Sequence, residues 1–544
     1  MVVIDREKST VTPLGPKRSS FSGDDVIFWA KDGSYVLLSV ARSWIDWPEV
    51  VRVDIPSNTI TKIERQHDGV FQWFANSRGE VVAGIGVTYG RRLKVIYRPD
   101  PGKPFETILR MKIDGDNDEA EQVFIARIDG DTQKGYVVSR RGGDLWGLHE
   151  YDFRSKTFGA ALFTHPDVDL DNFSFTRDGK LRWVSYIDDR QRIKWFTDEE
   201  QRFYQDLEKA VPDKLAFVVS TSANKEVKVV KTSAPTDPGT FYVYRADSGK
   251  MVRVASVNEA LKDQRLASTE YVSYVARDGL KIPVYLTLPV GRAPAGLPLV
   301  VVPHGGPFVR DEWDYDFLTQ YLANRGYAVL QPNFRGSAGY GLAFEKRGYH
   351  EWGKGMQDDV DDGVKWLVDS GRVDPGRVCM LGWSYGGYAA QVAAFRNPDI
   401  YRCAVSIAGI SDLGAMIAYD RRFMFGSSFR KWRAKIQGDS PVRELKSVSS
   451  LTQVRNIAIP LLVVHGTDDD NVPVSQSDKL TKALRKAGKP FDYIRIKDGD
   501  HALQDEKQRA ELLQGLDKFL AAHNPTDVLR PGAPAMPVSA PVSP

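Results

Sequence analysis

Three short segments in the second half of the chain carry the residue types that acyl-transfer chemistry needs. Leu381-Gly382-Trp383-Ser384-Tyr385-Gly386-Gly387-Tyr388 contains the G-x-S-x-G pattern, after an apolar run at 378–381 and before a helix-like run at 388–395. Between a strand and a helix this pattern is a nucleophile elbow, a turn so tight that glycine is expected at 382 and 386 and the Ser384 hydroxyl is thrust out over the sheet. A serine hydroxyl is a poor nucleophile without an adjacent base, and the base needs an orienting acid. Both follow in the chain order this elbow requires. His465-Gly466-Thr467-Asp468-Asp469-Asp470-Asn471-Val472-Pro473 comes after the apolar run at 461–464, and Gly499-Asp500-His501 comes after the run at 493–496. Position alone leaves the acid open among Asp468, Asp469 and Asp470. A calcium loop is a poor reading of the acidic run, which lacks alternate-position ligands and a closing glutamate. Acyl transfer also needs donors for the developing oxyanion, each typically worth ~10²–10³ in rate. The N–H of Tyr385 is expected to be one, and the glycine-bearing loop Val302-Pro303-His304-Gly305-Gly306-Pro307 to supply the other.

The elements that must position these residues read as an α/β domain. From about residue 266, apolar runs at 298–302, 328–331, 378–381, 404–407 and 461–464 alternate with helix-like stretches at 317–325, 358–370 and 475–487. Apolar strands alternating with helices predict a mostly parallel, doubly wound sheet covered on both faces. Residues 20–260 read differently, as short strands broken by turns. Similar strands recur at 51–54, 94–97, 148–152, 192–196 and 241–244, about one four-stranded propeller blade apart. The expected organisation is a β-propeller over 1–265 with about five visible blades, an α/β-hydrolase domain over 266–524, and a disordered tail over 525–544, where six of twenty residues are proline.

Composition narrows the function classes. Lys and Arg number 74 against 71 Asp and Glu, a net charge of +3 that does not point to nucleic acid or an acidic membrane as partner. Two cysteines, Cys379 and Cys403, make neither a disulfide framework nor a cysteine zinc site. No metal or other cofactor is expected. Asp358-Asp359 and Asp361-Asp362 could suggest a metal cluster, but they open a helix, where acids suit the dipole, and they read as a solvated face. The Gly336 to Gly341 stretch lacks the ending of a phosphate loop. No apolar run is long enough to span a membrane, and the first eight residues lack signal-peptide features. As written the chain is expected in the cytoplasm, or in the periplasm or outside the cell if its natural N-terminus is missing. A homo-oligomer is compatible with the sequence.

Taken together, these motifs resemble the prolyl oligopeptidase family of serine peptidases, in its branch of acylaminoacyl-peptidases and bacterial dipeptidyl-peptidases. The resemblance covers 266–523. It rests on His304-Gly305-Gly306-Pro307 with Arg310-Asp311 and Trp313, on Asn333-Phe334-Arg335-Gly336-Ser337, on the elbow, and on His465-Gly466 with Asp469 and Val472-Pro473. It implies Asp469 as the acid, the Gly306 N–H as second oxyanion donor, and an N-terminal propeller capping the site, in relatives usually of seven or eight blades. Asp500 stands where many relatives have glycine. Glu199-Glu200 is similar to the acid pair that holds a free N-terminus in dipeptidyl-peptidases, but without the surrounding motif it reads as a solvated turn. The implied function is cleavage of short peptides through an acyl-enzyme on Ser384. A carboxylesterase, or an interaction protein keeping the fold without catalysis, are the alternatives.

Overall fold

The computed structural model describes residues 2–526 except 6–9, 16–24, 42–46, 89–91, 113–121, 130–131, 177–178, 223, 425 and 439–441. Met1, residues 6–9 of the N-terminal stretch, and 527–544 of the expected disordered tail lie outside the described residues. Thr526, counted in that tail by its composition, is instead 1% exposed, and its hydroxyl donates to the Arg325 carbonyl at 2.7 Å.

Alternating valine, aromatic and polar residues form antiparallel meanders throughout the N-terminal half. Four-stranded sheets run from Asp25–Trp29 to Ile60–Glu64, from Val70–Ala75 to Glu106–Lys112, from Val123–Ile128 to Thr157–Phe163, and from Leu215–Thr221 to Lys250–Ser256. A three-stranded sheet comprises Leu170–Phe175, Leu181–Ile187 and Gln191–Trp195. In the four-stranded sheets the recurrent segment that marks the repeat is the third strand, and in the three-stranded sheet it is the last. In Glu49–Asp54 four of six residues are buried, whereas the outer strand Ile60–Glu64 is exposed at all but its last residue. The outer strands have no inward pattern to read. A 13-residue helix, Asp198–Ala210, interrupts the strands and carries Glu199 and Glu200 in its first turn, with Thr197 as N-cap. These acids therefore start a helix and do not sit in a turn.

The chain separates into two compact units, Met1–Val184 and Ser185–Pro544. The division falls before the change of pattern at about 266, since residues just after it pack with the second unit. The Tyr285 hydroxyl donates to the Asp189 carbonyl at 3.0 Å, Arg310 donates to the Ile187 carbonyl at 3.2 Å, and the Arg190 guanidinium lies over the Trp313 ring.

The second unit is built on an eight-stranded sheet. Its order is Thr269–Val275, Lys281–Thr287, Ala328–Pro332, Leu297–Val301, Val373–Trp383, Cys403–Ile407, Leu461–Gly466, Phe491–Ile496. Lys281–Thr287 is antiparallel to both neighbours, and the last six strands run parallel. Successive side chains alternate between faces. Leu299, Val301, Val378, Met380, Leu461 and Val463 enter one core, under helices that include Gly355–Asp369 and Tyr385–Arg396. Val300, Leu381, Val405, Leu462 and Val464 enter the other, with Leu512, Leu516 and Phe519 of the helix Glu506–His523. Burial on both faces explains why these strands read as continuous apolar runs. Cys379 and Cys403, side by side in register on this second face, are joined as a disulfide with Cα atoms 4.9 Å apart. The pair thus makes one cross-strand link. No helix among the described residues is long and apolar enough to cross a membrane.

The acids at 358–362 correct the reading of a solvated helix face. Asp358 and Asp362 pair with Arg277, but Asp359 and Asp361 are 0% and 2% exposed. Asp359 accepts from Arg335 Nε at 2.8 Å and Nη2 at 2.6 Å, and from the Arg335 backbone N–H at 2.8 Å. Asp361 accepts from the Tyr401 hydroxyl at 2.6 Å. Two acids of this helix are turned inward, Asp359 matched by Arg335 and Asp361 held by the Tyr401 hydroxyl, while Arg277 serves both Asp358 and Asp362. Removing one partner of a buried pair leaves the other uncompensated. Asp359→Ala should therefore lower unfolding free energy by about 3–5 kcal/mol, read from denaturant titration, whereas Asp369→Ala, at an exposed pair with Lys365, should change it by less than about 1 kcal/mol.

Candidate active site

The strand Val373–Trp383 ends in the elbow, and the helix Tyr385–Arg396 begins on its far side. Ser384 stands between them at φ 60°, ψ −117°, a backbone conformation costly for a residue with a side chain. Its N–H donates to the Ile407 carbonyl at 2.9 Å and its carbonyl accepts from the Tyr388 N–H at 3.0 Å. The glycines are dictated by contact. A Cβ at Gly382 would lie 2.1 Å from the Gly386 carbonyl carbon, and one at Gly386 would lie 2.1 Å from the Pro303 carbonyl oxygen. Beneath the turn the Tyr385 ring is buried, edge-on to Trp352 at 4.6 Å. Its side chain anchors the turn while its N–H stays at the first residue of the helix.

Among the three consecutive acids, Asp469 is the one that faces His501. It is 5% exposed, and its Oδ2 lies 2.7 Å from His501 Nδ1. Its Oδ1 accepts from the N–H groups of Asn471 at 2.9 Å and Val472 at 2.8 Å. A further contact comes from His465 Nε2, 3.3 Å from Oδ2. Burial alone would raise the Asp469 pKa. The His465 and His501 hydrogen bonds and the Val472 N–H outweigh it and hold the carboxyl well below the usual carboxylate range. A carboxylate at His501 Nδ1 fixes the proton there and leaves Nε2 as the basic nitrogen. The backbone carbonyl of His501 accepts from Trp383 Nε1 at 2.7 Å, which ties its loop to the elbow. Ser384 and His501 line the same cavity, and no hydrogen bond joins their side chains. Such bonds are often long before substrate binds.

The second expected oxyanion donor lies on a loop laid against Ser384, since a Cβ at Gly305 would be 3.5 Å from Ser384 Cβ. Gly306 has φ +103°, which favours glycine. His304, which the sequence offers only as part of a turn motif, has a structural part in this loop. Its ring is stacked on Phe334, with Nδ1 2.8 Å from the Gly305 carbonyl and Nε2 2.8 Å from Ser337 Oγ. Burial pushes its pKa down to about 4, so the ring is neutral and Nδ1–H can donate to Gly305. His465 is the other residue that motif position alone does not explain. It is fully buried, with Nδ1 2.6 Å from Ser477 Oγ and Nε2 2.8 Å from the Val472 carbonyl, and it braces the Asp469 turn.

The cavity at Ser384 encloses about 830 Å³. Much of its wall comes from the helices Leu413–Asp420 and Gly426–Gln437, which the strand pattern passes over. Asp412, which accepts from the Ala415 N–H as N-cap, and the spacing of Leu413, Met416 and Ile417 are the signals that mark the first of them. Among the described residues no group of three or more His, Cys, Asp or Glu side chains could hold a metal.

Comparisons with known proteins bear on the family and the fold. The model of the prolyl oligopeptidase family matches residues 313–525. Dipeptidyl aminopeptidase BIII of Pseudoxanthomonas mexicana is 30% identical over 501 residues, covering 87% of this chain and 69% of the relative. The human acylamino-acid-releasing enzyme is 26% identical, over 69% of this chain and 54% of that protein, so the chain spans little more than half its length. Among solved structures, a puromycin-hydrolyzing peptidase of Mycobacterium tuberculosis superposes with a TM-score of 0.70 at 20% identity, covering 96% of this chain and 82% of the other. That structure pairs a propeller with an α/β-hydrolase domain, as does this chain.

The hydrogen-bonding around Asp469 generates a direct test. Asp469→Asn should leave the fold intact and lower kcat by about 10⁴-fold, because His501 loses the partner that fixes its tautomer. Asp468→Asn and Asp470→Asn should retain kcat within a few-fold. Steady-state kinetics on the three variants, with circular dichroism as the folding control, checks the assignment.

Proposed function

Because the chain belongs to the prolyl oligopeptidase family and is a serine peptidase, we propose that it hydrolyses short peptides near their N-terminus, as a dipeptidyl- or acylaminoacyl-peptidase, through an acyl-enzyme on Ser384. In this reading His501 Nε2 takes the Ser384 proton as the hydroxyl attacks the peptide carbonyl, and returns it to the departing amine. Asp469 keeps the imidazole oriented and stabilises its protonated form, while the N–H groups of Gly306 and Tyr385 receive the oxyanion. Water then repeats the sequence on the ester and regenerates the serine. The observation that carries the proposal is the 2.7 Å contact between Asp469 Oδ2 and His501 Nδ1, at the edge of the cavity that Ser384 lines. The N-terminal mode of action draws on the names of the relatives, one a dipeptidyl aminopeptidase and one an acylamino-acid-releasing enzyme.

Chromogenic anilides of free dipeptides and of N-acetylated amino acids test this reading side by side. At least one class should be turned over, and Ser384→Ala should abolish the activity. A ladder of peptides incubated beside unfolded casein should show faster cleavage per bond in the short peptides. Equal rates on casein and a decapeptide would exclude the preference for short substrates.

A further inference from the structure

The cavity at Ser384 is apolar over most of its wall. Ile410, Leu413, Met416 and Ile417 line it, together with Trp352 and Trp432. One partly buried acid interrupts this surface. Asp420 closes the helix Leu413–Asp420, is partly buried, and lines the cavity; the cavity's other acid, Asp470, is exposed. Asp420 Oδ2 accepts from Trp432 Nε1 at 2.8 Å, while Oδ1 has no hydrogen-bond partner among the described residues. Among the described residues no lysine or arginine lines the cavity, and no ion pair involves Asp420. Burial pushes its carboxyl above the ordinary range, against a hydrogen bond from Trp432 that lowers it. A carboxylate on an apolar wall, with one oxygen unused and no counter-charge, is the arrangement that a cation relieves.

We infer that Asp420 determines specificity, selecting substrates whose residue at the attacked carbonyl carries an apolar stem and a cationic head, that is, arginine or lysine. The inference rests on reading Ser384 as the nucleophile. The methylene stem packs on Met416, Ile417 and the Trp432 ring, and the head donates to Asp420 Oδ1. The Trp432 face also suits a cation lying above it. Leucine or phenylalanine would fill the apolar part but leave the carboxylate buried without a partner.

A series of fluorogenic peptide amides tests this, alike except for arginine, lysine, norleucine, leucine, phenylalanine, tyrosine or glutamate before the scissile bond. In the wild-type chain, kcat/KM for arginine or lysine should exceed that for norleucine and leucine by about 10-fold to 100-fold, the range of a charge-assisted hydrogen bond. Asp420→Asn keeps the side-chain shape and an oxygen for Trp432. It should remove most of that advantage while leaving leucine and phenylalanine substrates within about threefold of wild type, the margin expected for an unperturbed site. Wild-type preference for leucine, phenylalanine or tyrosine over both basic residues would overturn the inference, as would an unchanged arginine-to-leucine ratio in Asp420→Asn. In both cases hydrolysis continues and the reading of Ser384 stands. A wild-type chain that cleaves none of the series, and whose Ser384 forms no hemiacetal with an argininal or leucinal peptide, overturns that reading and the inference with it.

Discussion

A buried carboxylate is tolerated only where hydrogen bonds replace the water it has lost, and the arrangement around Asp469 is governed by that requirement. Two backbone N–H groups, the His465 ring and the His501 ring converge on its two oxygens. Each donor comes from a segment fixed by something else. His465 lies near the end of the strand Leu461–Gly466, and Asn471 and Val472 follow in the turn beyond it. His501 sits on a loop pinned to Trp383 at the elbow. The carboxylate thereby links two parallel strands and the Ser384 turn at one end of the sheet. A shift in any of these segments would leave a charged oxygen unsatisfied, which makes the geometry stiff as well as polar.

The strain at Ser384 is held by the same neighbourhood. The elbow closes only because Gly382 and Gly386 let backbone atoms come within van der Waals distance, and because the Pro303 loop lies directly over the helix start. The loop with Gly305 and Gly306 is in turn held by His304, neutral through burial and stacked on Phe334. Arg335, next in sequence to Phe334, is matched by the buried Asp359. A chain of contacts thus runs from the ion pair under the helix Gly355–Asp369, through Phe334 and His304, to the backbone beside Ser384. This accounts for the presence of Asn333-Phe334-Arg335-Gly336-Ser337 among the most specific stretches of the sequence although none of these residues lines the cavity at Ser384.

Much of this was legible in the sequence, and the exceptions have physical reasons. The parallel strands were readable because both faces are buried, and the elbow because a tight turn demands glycine at fixed positions. The choice of Asp469 over Asp468 and Asp470 was legible only through family resemblance, since three adjacent acids carry identical local signals and only the fold decides which one turns inward. The acids at 358–362 misled because a helix N-terminus attracts acids for its dipole whether or not the same face is buried. The arginines that match them, Arg277 and Arg335, are distant in sequence. The helix Asp198–Ala210 was hidden in a run of strands, although Thr197 and Glu200 have the spacing of a capping box. Asp420 and Trp432 come together only through the packing of two short helices, a relation with no period to read.

Activation of Ser384 by His501 is the step on which the proposed reaction depends. Labelling of the native chain with a fluorophosphonate, followed by peptide mapping of the adduct, tests it most directly. Stoichiometric modification at Ser384 is expected, lost on denaturation and strongly slowed in His501→Ala. Modification at another serine, or undiminished labelling of Ser384 in a folded His501→Ala variant, would contradict it.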